Sequence, residues 1–536
     1  MFLLLLFLFL LTQKTDAFQL ADRNLRRSNV LKVEGGILSA DESNVITDEK
    51  VIQTNNNDDE DTIFREFAFR IASTFPARDF KPASSLLANR HVQTISGAFL
   101  REDANCRYTT LSESSQNYNN DKANGNAQIP LWQDPGIATL ASSIHRNFVF
   151  QSRSSNVDDP STGALQYWDE REEFQTPDDD FFHVDYKYVH QHRNRNRNRN
   201  QQMQDKASPL SSAAKGLVIV VHGLQSNSNS SLVRDIATAC RNQGFDVAAI
   251  NFRGCSGVPN NGLKAYHLGF TDDLKQFLAV LKSRQQNSPD KTPIFITGKS
   301  LGANVVLKAL GELGMSAYTD YNVHGAAVCC CPFDNQRNAN FLLRGFSKVA
   351  YNGNLLKSLK EVAYRQVERL GMESTDAQKI DYDKLQKATR ITEFDEAFIA
   401  PLFGFKDHLD YYNKTSCLNF LDKIRVPTLI LNSKDDPFMD PDFFPWDFGC
   451  TSLAGRQAKS SIQMVRTNHG GHLGYMFHQI NSNDKDNNQD VSFMPFELSR
   501  FINHVFERRT FLEGGEVARQ YFQINQVGTF SDMVDS

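Results

Sequence analysis

From position 216 onward the chain alternates between two hydrophobic periods. Continuous apolar runs, GLVIVVHG (216–223), DVAAINFRG (246–254), TPIFITGKS (292–300), VHGAAVCCCPFD (323–334), VPTLILNSKDDP (426–437) and SIQMVRTNHGGH (461–472), read as strands buried on both faces. Between them, SLVRDIATACRNQG (231–244), TDDLKQFLAVLKSRQQ (271–286) and LGANVVLKALGELG (301–314) carry apolar residues at helical spacing. The first and third of these stop at glycine, and the second opens on Thr271 as a cap with acids in its first turn. Strands and helices in this alternation predict an α/β protein with a mostly parallel central sheet and helices on both faces. Just upstream, FQTPDDDFFHVDYKYV (174–189) sets acidic turn residues between aromatic and β-branched runs, as a hairpin requires. Between Phe333 and Lys423 the alternation stops, and a helical pattern rich in Phe, Tyr and Leu predicts a lid inserted over 335–423.

The rest of the chain divides by composition. Residues 18–62 are polar and without period, and are expected to be disordered. Residues 63–173 form an N-terminal extension that holds an Asn/Ser-rich insertion (102–165). The sheet domain is expected over 174–510, interrupted by the low-complexity loop RNRNRNRNQQMQ (193–204), and 511–536 are a tail. Residues 2–11, FLLLLFLFLL, are too short for a bilayer span of about 20 residues and suit the core of a signal peptide or leader over 1–17. Thr15 and Ala17 are the small residues of a cut after Ala17. Phe18, followed by basic and hydroxyl residues, resembles a bipartite plastid-targeting leader; plain secretory entry and a short membrane anchor are the alternatives.

Charge and cysteine content narrow the function classes. A net charge of −5 supplies no basic field for nucleic acid. Eight cysteines fall in no zinc-like spacing and no disulfide framework, so no metal is expected. Cys329, Cys330 and Cys331 read as small buried hydrophobes of a strand.

Gly298-Lys299-Ser300-Leu301-Gly302 is a G-x-S-x-G motif between a strand and a helix. That is the context in which a nucleophilic serine sits on a turn too tight for a flanking side chain. A serine hydroxyl needs a base, and His472 in NHGGHLGY follows the last strand among small residues, with His469 its competitor. The base needs an acid, and Asp435 and Asp436 stand just beyond a strand. Asp436 precedes a proline, which holds it extended and makes it the choice. The N–H groups of Leu301 and Leu224 are the expected oxyanion donors, with His222 structural. His267 and Asp272 form an H-x-x-x-x-D spacing of the kind found in acyltransferases, which is frequent by chance. Asn229 and Asn413 begin glycosylation sequons, and Asn229 stands where a glycan would obstruct the oxyanion loop.

Beyond the serine motif, the chain carries HVQTI (91–95), TPDDDFFHVD (176–185), VVHGLQSNSNS (220–230), NFRGCSG (251–257), YHLGFTDDL (266–274), GKSLGAN (298–304) and the DDPF and GGHLG segments. In these it resembles the YheT-like and embryogenesis-associated-protein-like α/β-hydrolases, the type 4 family of the AB hydrolase superfamily, from about Phe80 to about Phe506. It departs from them in its insertions and its leader. The resemblance implies an α/β-hydrolase fold and a nucleophile, acid and base at Ser300, Asp436 and His472. It also implies hydrolysis of carboxylic esters, from short-chain esters to acylglycerols and phospholipids, with peripheral membrane association. Such a triad works without metal or organic cofactor. A thioesterase or acyltransferase would use the same residues, and a non-catalytic scaffold is the reading of another class. An aspartate-nucleophile hydrolase is disfavoured by the serine in the turn.

Overall fold

The carboxyl ends of six parallel strands create the platform on which the predicted chemistry can be assembled. The computed structural model describes residues 56–76, 80–82, 167–189, 214–286, 291–344, 351–467, 470–473, 475, 477–479 and 493–509, all within the unit Asn55–Ser536. The leader, the insertion over 102–165, the 193–204 tract and the tail lie outside the described residues, as does His469.

A short strand, β1 (Phe80–Pro82), pairs only with β10 (Phe477–Gln479), while the main sheet has eight strands. These are β2 (Glu170–Gln175), β3 (Phe181–Lys187), β4 (Leu217–Val221), β5 (Asp246–Asn251), β6 (Ile294–Lys299), β7 (Val323–Cys329), β8 (Thr428–Ser433) and β9 (Ile462–Thr467). Their order is β2-β3-β5-β4-β6-β7-β8-β9. The hairpin partner β3 runs antiparallel to β5, and every pair from β5 to β9 is parallel. This is the mostly parallel sheet that the alternation predicted, in the α/β-hydrolase arrangement that the resemblance implied.

The apolar runs are continuous because both faces are covered. Along β4, Leu217, Ile219 and Val221 face one core, with Leu274, Phe277 and Leu278 of α3 (Asp272–Gln285) and Val305 to Leu310 of α4 (Leu301–Leu313). Val218 and Val220 face the other core, with Leu232, Val233 and Ile236 of α2 (Ser231–Asn242) and Met494, Leu498 and Phe501 of α8 (Phe493–Arg508). Thr271 holds the N-cap position of α3, but its hydroxyl donates to Glu312 at 2.8 Å rather than capping the helix.

Two boundaries differ from the sequence expectation. The sheet begins at Glu170 rather than at 174, because Asp169 and Glu170 meet Lys187 and Tyr188 across the hairpin. Helix α1 (Asn56–Ser73) starts inside the stretch expected to be disordered. Asp61 accepts bonds from Arg65 one turn on and from Arg425 at 2.9 Å, which fastens the start of the helix to the loop before β8. Phe64, Phe67 and Ile71 are buried in the same core as α8, and Phe75 meets Phe501 edge to face at 4.9 Å. The apolar residues from Ile63 onward read as structured in the sequence, and only the polar start of the helix, 56–62, falls in the stretch expected to be disordered.

The segment over 335–423 lies between β7 and β8, where the lid was expected. It contains α5 (Asn335–Phe341), α6 (Gly353–Leu370) and α7 (His408–Thr415) with several shorter turns. Much of it closes on a core of its own: Leu356, Ala363 and Val367 pack with Ile380, Leu385, Phe394, Phe398 and Leu402. Its final turn, Cys417–Lys423, departs from the lid picture, since Cys417 and Leu421 belong to the sheet core. No described helix is long and apolar enough to cross a membrane.

If α1 is part of the sheet's core, Phe67→Ala should lower the urea unfolding midpoint of the whole domain in one cooperative transition. The expected loss is about 3 kcal/mol. An unchanged midpoint would show α1 to be an independent appendage.

Candidate active site

The sheet places Ser300 between β6 and α4 in a backbone conformation of φ 55° and ψ −124°, in the half of dihedral space that side chains disfavour. The flanking glycines make this turn available. A Cβ on Gly298 would lie 2.6 Å from the carbonyl oxygen of Gly302. A Cβ on Gly302 would lie 2.4 Å from the carbonyl oxygens of both Val221 and His222. Helix α4 can therefore press against the end of β4, and the serine is thrown outward.

His472 Nε2 stands 2.9 Å from Ser300 Oγ, and His472 Nδ1 stands 2.8 Å from Asp436 Oδ2. Because the carboxylate accepts at Nδ1, that nitrogen carries the proton and Nε2 is left to receive the serine's. The other oxygen of Asp436 accepts the Phe438 N–H at 2.9 Å, which fixes the carboxylate beyond the Asp-Pro bond. Asp435, the competing acid, accepts the Gly471 N–H at 2.9 Å and so shapes the histidine loop instead. Burial of the His472 ring opposes its charged form, but the charge and hydrogen bond of Asp436 outweigh this and hold its pKa above 6.5. The Phe438 ring lies 4.5 Å from the imidazole.

Leu301 is the first residue of α4, where a backbone N–H has no intrahelical partner. Leu224 lies in the loop after β4, partly buried against the sheet core. That loop is held by His222, which the sequence marked as structural, and by Gln225, Tyr266, Asp185 and Asn251, whose part was not read from the sequence. His222 is fully buried, with Nδ1 2.7 Å from the Gly223 carbonyl and Nε2 accepting the Phe252 N–H at 3.1 Å. Burial pushes its pKa down to about 3, so it is a neutral brace. Gln225, at φ 51°, donates its N–H to the Tyr266 hydroxyl at 2.8 Å. Asp185 on β3 accepts bonds from Arg171, from the Ser228 hydroxyl at 2.5 Å and from Asn251 at 2.9 Å. Asn251 in turn accepts the Ser228 N–H at 2.9 Å. The signal was available in an aspartate embedded in the strand FFHVD, but its partners Ser228 and Asn251 lie far along the chain.

The His267–Asp272 spacing is not brought together as a pair. His267 sits in a box of Phe270, Phe403, Phe405 and Tyr411, whereas Asp272 is exposed at the start of α3. Its neighbour Asp273 instead pairs with Arg253, which also reaches Asp178. Cys330 Sγ lies with an Asp436 oxygen and a His472 nitrogen within 4.8 Å of one another, so the thiol stands directly beside the acid and base. Burial keeps that thiol well above its ordinary pKa, and its sulfur accepts the Leu473 N–H at 3.3 Å.

A family model described as "Serine aminopeptidase, S33" matches residues 212–444, a span that includes Ser300 and Asp436 and stops before His472. The "Putative esterase YheT" of Escherichia coli K12 is 31% identical over 269 residues, covering 50% of this chain and 73% of YheT. The "Medium-chain fatty acid ethyl ester synthase/esterase 2" of Saccharomyces cerevisiae is 31% identical over 294 residues, 51% of this chain and 59% of its own length. The "Monoacylglycerol lipase" of the same yeast is 28% identical over 273 residues, 49% of this chain and 56% of its own. The chain thus spans little more than half the length of the two yeast proteins.

The geometry fixes the direction of a pH response. A base must be neutral to accept a proton, so kcat/KM on an activated ester should fall as pH drops through a pKa above 6.5. Asp436→Asn should lower kcat by about 10⁴-fold and carry that limb to lower pH, since the group that raises the pKa is gone. A limb that stays in place would separate Asp436 from the titration. Gly302→Ala, which drives a Cβ into two carbonyl oxygens, should destabilise the domain by about 3 kcal/mol or more in urea unfolding.

Proposed function

We infer, for a chain that belongs to the α/β-hydrolase family of the YheT esterase, that it hydrolyses carboxylic esters through an acyl-enzyme on Ser300. The observation that carries this reading is the continuous hydrogen-bonded run from Ser300 Oγ through His472 to Asp436, at 2.9 and 2.8 Å, on a strained turn. His472 Nε2 takes the hydroxyl proton as Ser300 Oγ attacks the ester carbonyl. The negative charge that forms on the carbonyl oxygen is held by the N–H groups of Leu301 and Leu224. Collapse of the intermediate breaks the bond to the alcohol oxygen, which leaves with the proton from His472. Water, deprotonated by the same nitrogen, then cleaves the acyl-serine bond and releases the acid.

Acyl chains of short to medium length, or those of acylglycerols and phospholipids, are the substrates we propose. Phe438 covers His472, Tyr351 packs on Phe438 at 4.7 Å, and the lid is rich in apolar side chains, which suits an acyl chain. The printed names of the two yeast relatives, a fatty acid ethyl ester synthase/esterase and a monoacylglycerol lipase, favour the same class. The first of those names also keeps acyl transfer to an alcohol as the second reading, since the acyl-enzyme is common to both. Entry through an N-terminal leader and peripheral association with membranes belong to the same proposal.

A fluorophosphonate probe should label the wild-type protein and leave Ser300→Ala unlabelled. Ser300→Ala should also reduce turnover of p-nitrophenyl butyrate by about 10⁴–10⁶-fold. With ethanol added, the ratio of ethyl butyrate to butyrate distinguishes transferase from hydrolase. A folded wild-type protein that neither takes the probe nor turns over the ester would favour the non-catalytic scaffold.

A further inference from the structure

The residue before the nucleophile is a lysine, and it is buried: Lys299 is 6% exposed. Its Nζ donates to Ser226 Oγ at 3.4 Å. A Cβ placed on Gly223 would come within 3.6 Å of that Nζ and 3.2 Å of Ser300 Cβ, so the ammonium, the serine and the loop after β4 meet at one point. Gly223 and Ser226 bracket Leu224, whose N–H is one of the two oxyanion donors proposed above. The glycine at 223 leaves the space that the lysine occupies.

We propose that Lys299 is a positioning residue of the oxyanion site, holding the Gly223–Ser226 turn by its bond to Ser226 and adding a fixed positive charge beside the carbonyl oxygen that becomes negative. The ester is neutral on binding and carries one negative charge as the tetrahedral intermediate. A cation next to that oxygen therefore favours the second state over the first. Lys299 is buried, so its field is weakly screened. In this role the lysine acts as a fixed cation and transfers no proton. The proposal rests on the ester-hydrolysis reading of the same site.

A second consequence supplies an independent readout. His472 is faced by Asp436 beyond β8, by Cys330 beyond β7, by Ser300 at the elbow and by Lys299 at the end of β6. Of these, Asp436 favours the imidazolium and Lys299 opposes it, while burial keeps the Cys330 thiol neutral. The lysine thus extends the range over which the base is neutral toward lower pH, and its removal should shift the acid limb of the rate profile upward.

The test uses the full chain with Lys299→Met, Lys299→Gln and Lys299→Arg. Each is assayed with p-nitrophenyl butyrate, with an alkyl trifluoromethyl ketone as mimic of the tetrahedral oxyanion, and with the fluorophosphonate probe. For both neutral variants kcat should fall by about 10-fold or more with KM within about 2-fold, less than the loss of a direct oxyanion donor. The ketone should bind more weakly by the same factor as kcat/KM falls, and the acid limb should move to higher pH. Lys299→Arg should recover most of the rate. Unchanged ketone affinity and an unmoved acid limb in a folded neutral variant would overturn the proposal, even if kcat fell. Misfolding of Lys299→Met leaves the near-isosteric Lys299→Gln to decide. Failure of the wild type to take the probe or to turn over the ester would overturn the ester reading and with it this proposal. A labelled, active wild type with indifferent neutral variants would overturn this proposal alone.

Discussion

The contact of Gly302 against the end of β4 is the constraint on which the candidate site depends. With no Cβ between them, α4 approaches the carbonyl groups of Val221 and His222 as closely as a helix can, and the chain between β6 and α4 has no room for an ordinary turn. The strain at Ser300 is the outcome. It aims the hydroxyl off the sheet, starts a helix directly behind it with an unbonded N–H, and brings the loop after β4 alongside. The ends of β8 and β9 then need only deliver an acid and an imidazole to a point already defined.

A second layer, made of acids that do not face the serine, keeps the surrounding loops in place. Asp185 gathers Arg171, Ser228 and Asn251. Asp180 accepts from Phe181, Asn260, Asn261 and Gly262, and Asp178 reaches Arg253, which is shared with Asp273. Loops at the edge of a sheet have no ladder to satisfy their polar groups. Carboxylates that accept several bonds each replace that ladder and give three loops a single arrangement. The hairpin that looked in sequence like a turn with acidic residues is thus the anchor of the loops after β4 and β5.

Local information carried the strands, the principal helices and the three residues that meet at the elbow. Continuous apolar runs mark the strands, G-x-S-x-G needs the turn it stands in, and the Asp-Pro pair separates Asp436 from Asp435. What was not legible depends on partners remote in the chain. Helix α1 is secured by Arg425 and by the aromatic side chains of α8, and its acidic start reads as solvated until those are known. Thr271 occupies a capping position but is drawn away by Glu312. The neighbours of the Lys299 ammonium come from the loop after β4, more than 70 residues earlier in the chain, so nothing in the pentapeptide announces them.

The helical segment between β7 and β8 enters and leaves the sheet core almost at one place, since the sulfurs of Cys331 and Cys417 at its two roots lie 3.4 Å apart. With its interior filled mainly by its own side chains, it can lengthen, shorten or be rebuilt while its roots stay where they are. Chain closure penalises such changes only weakly. A change of length between these two roots therefore need not displace the ends of β7 and β8, on which the position of Asp436 relies.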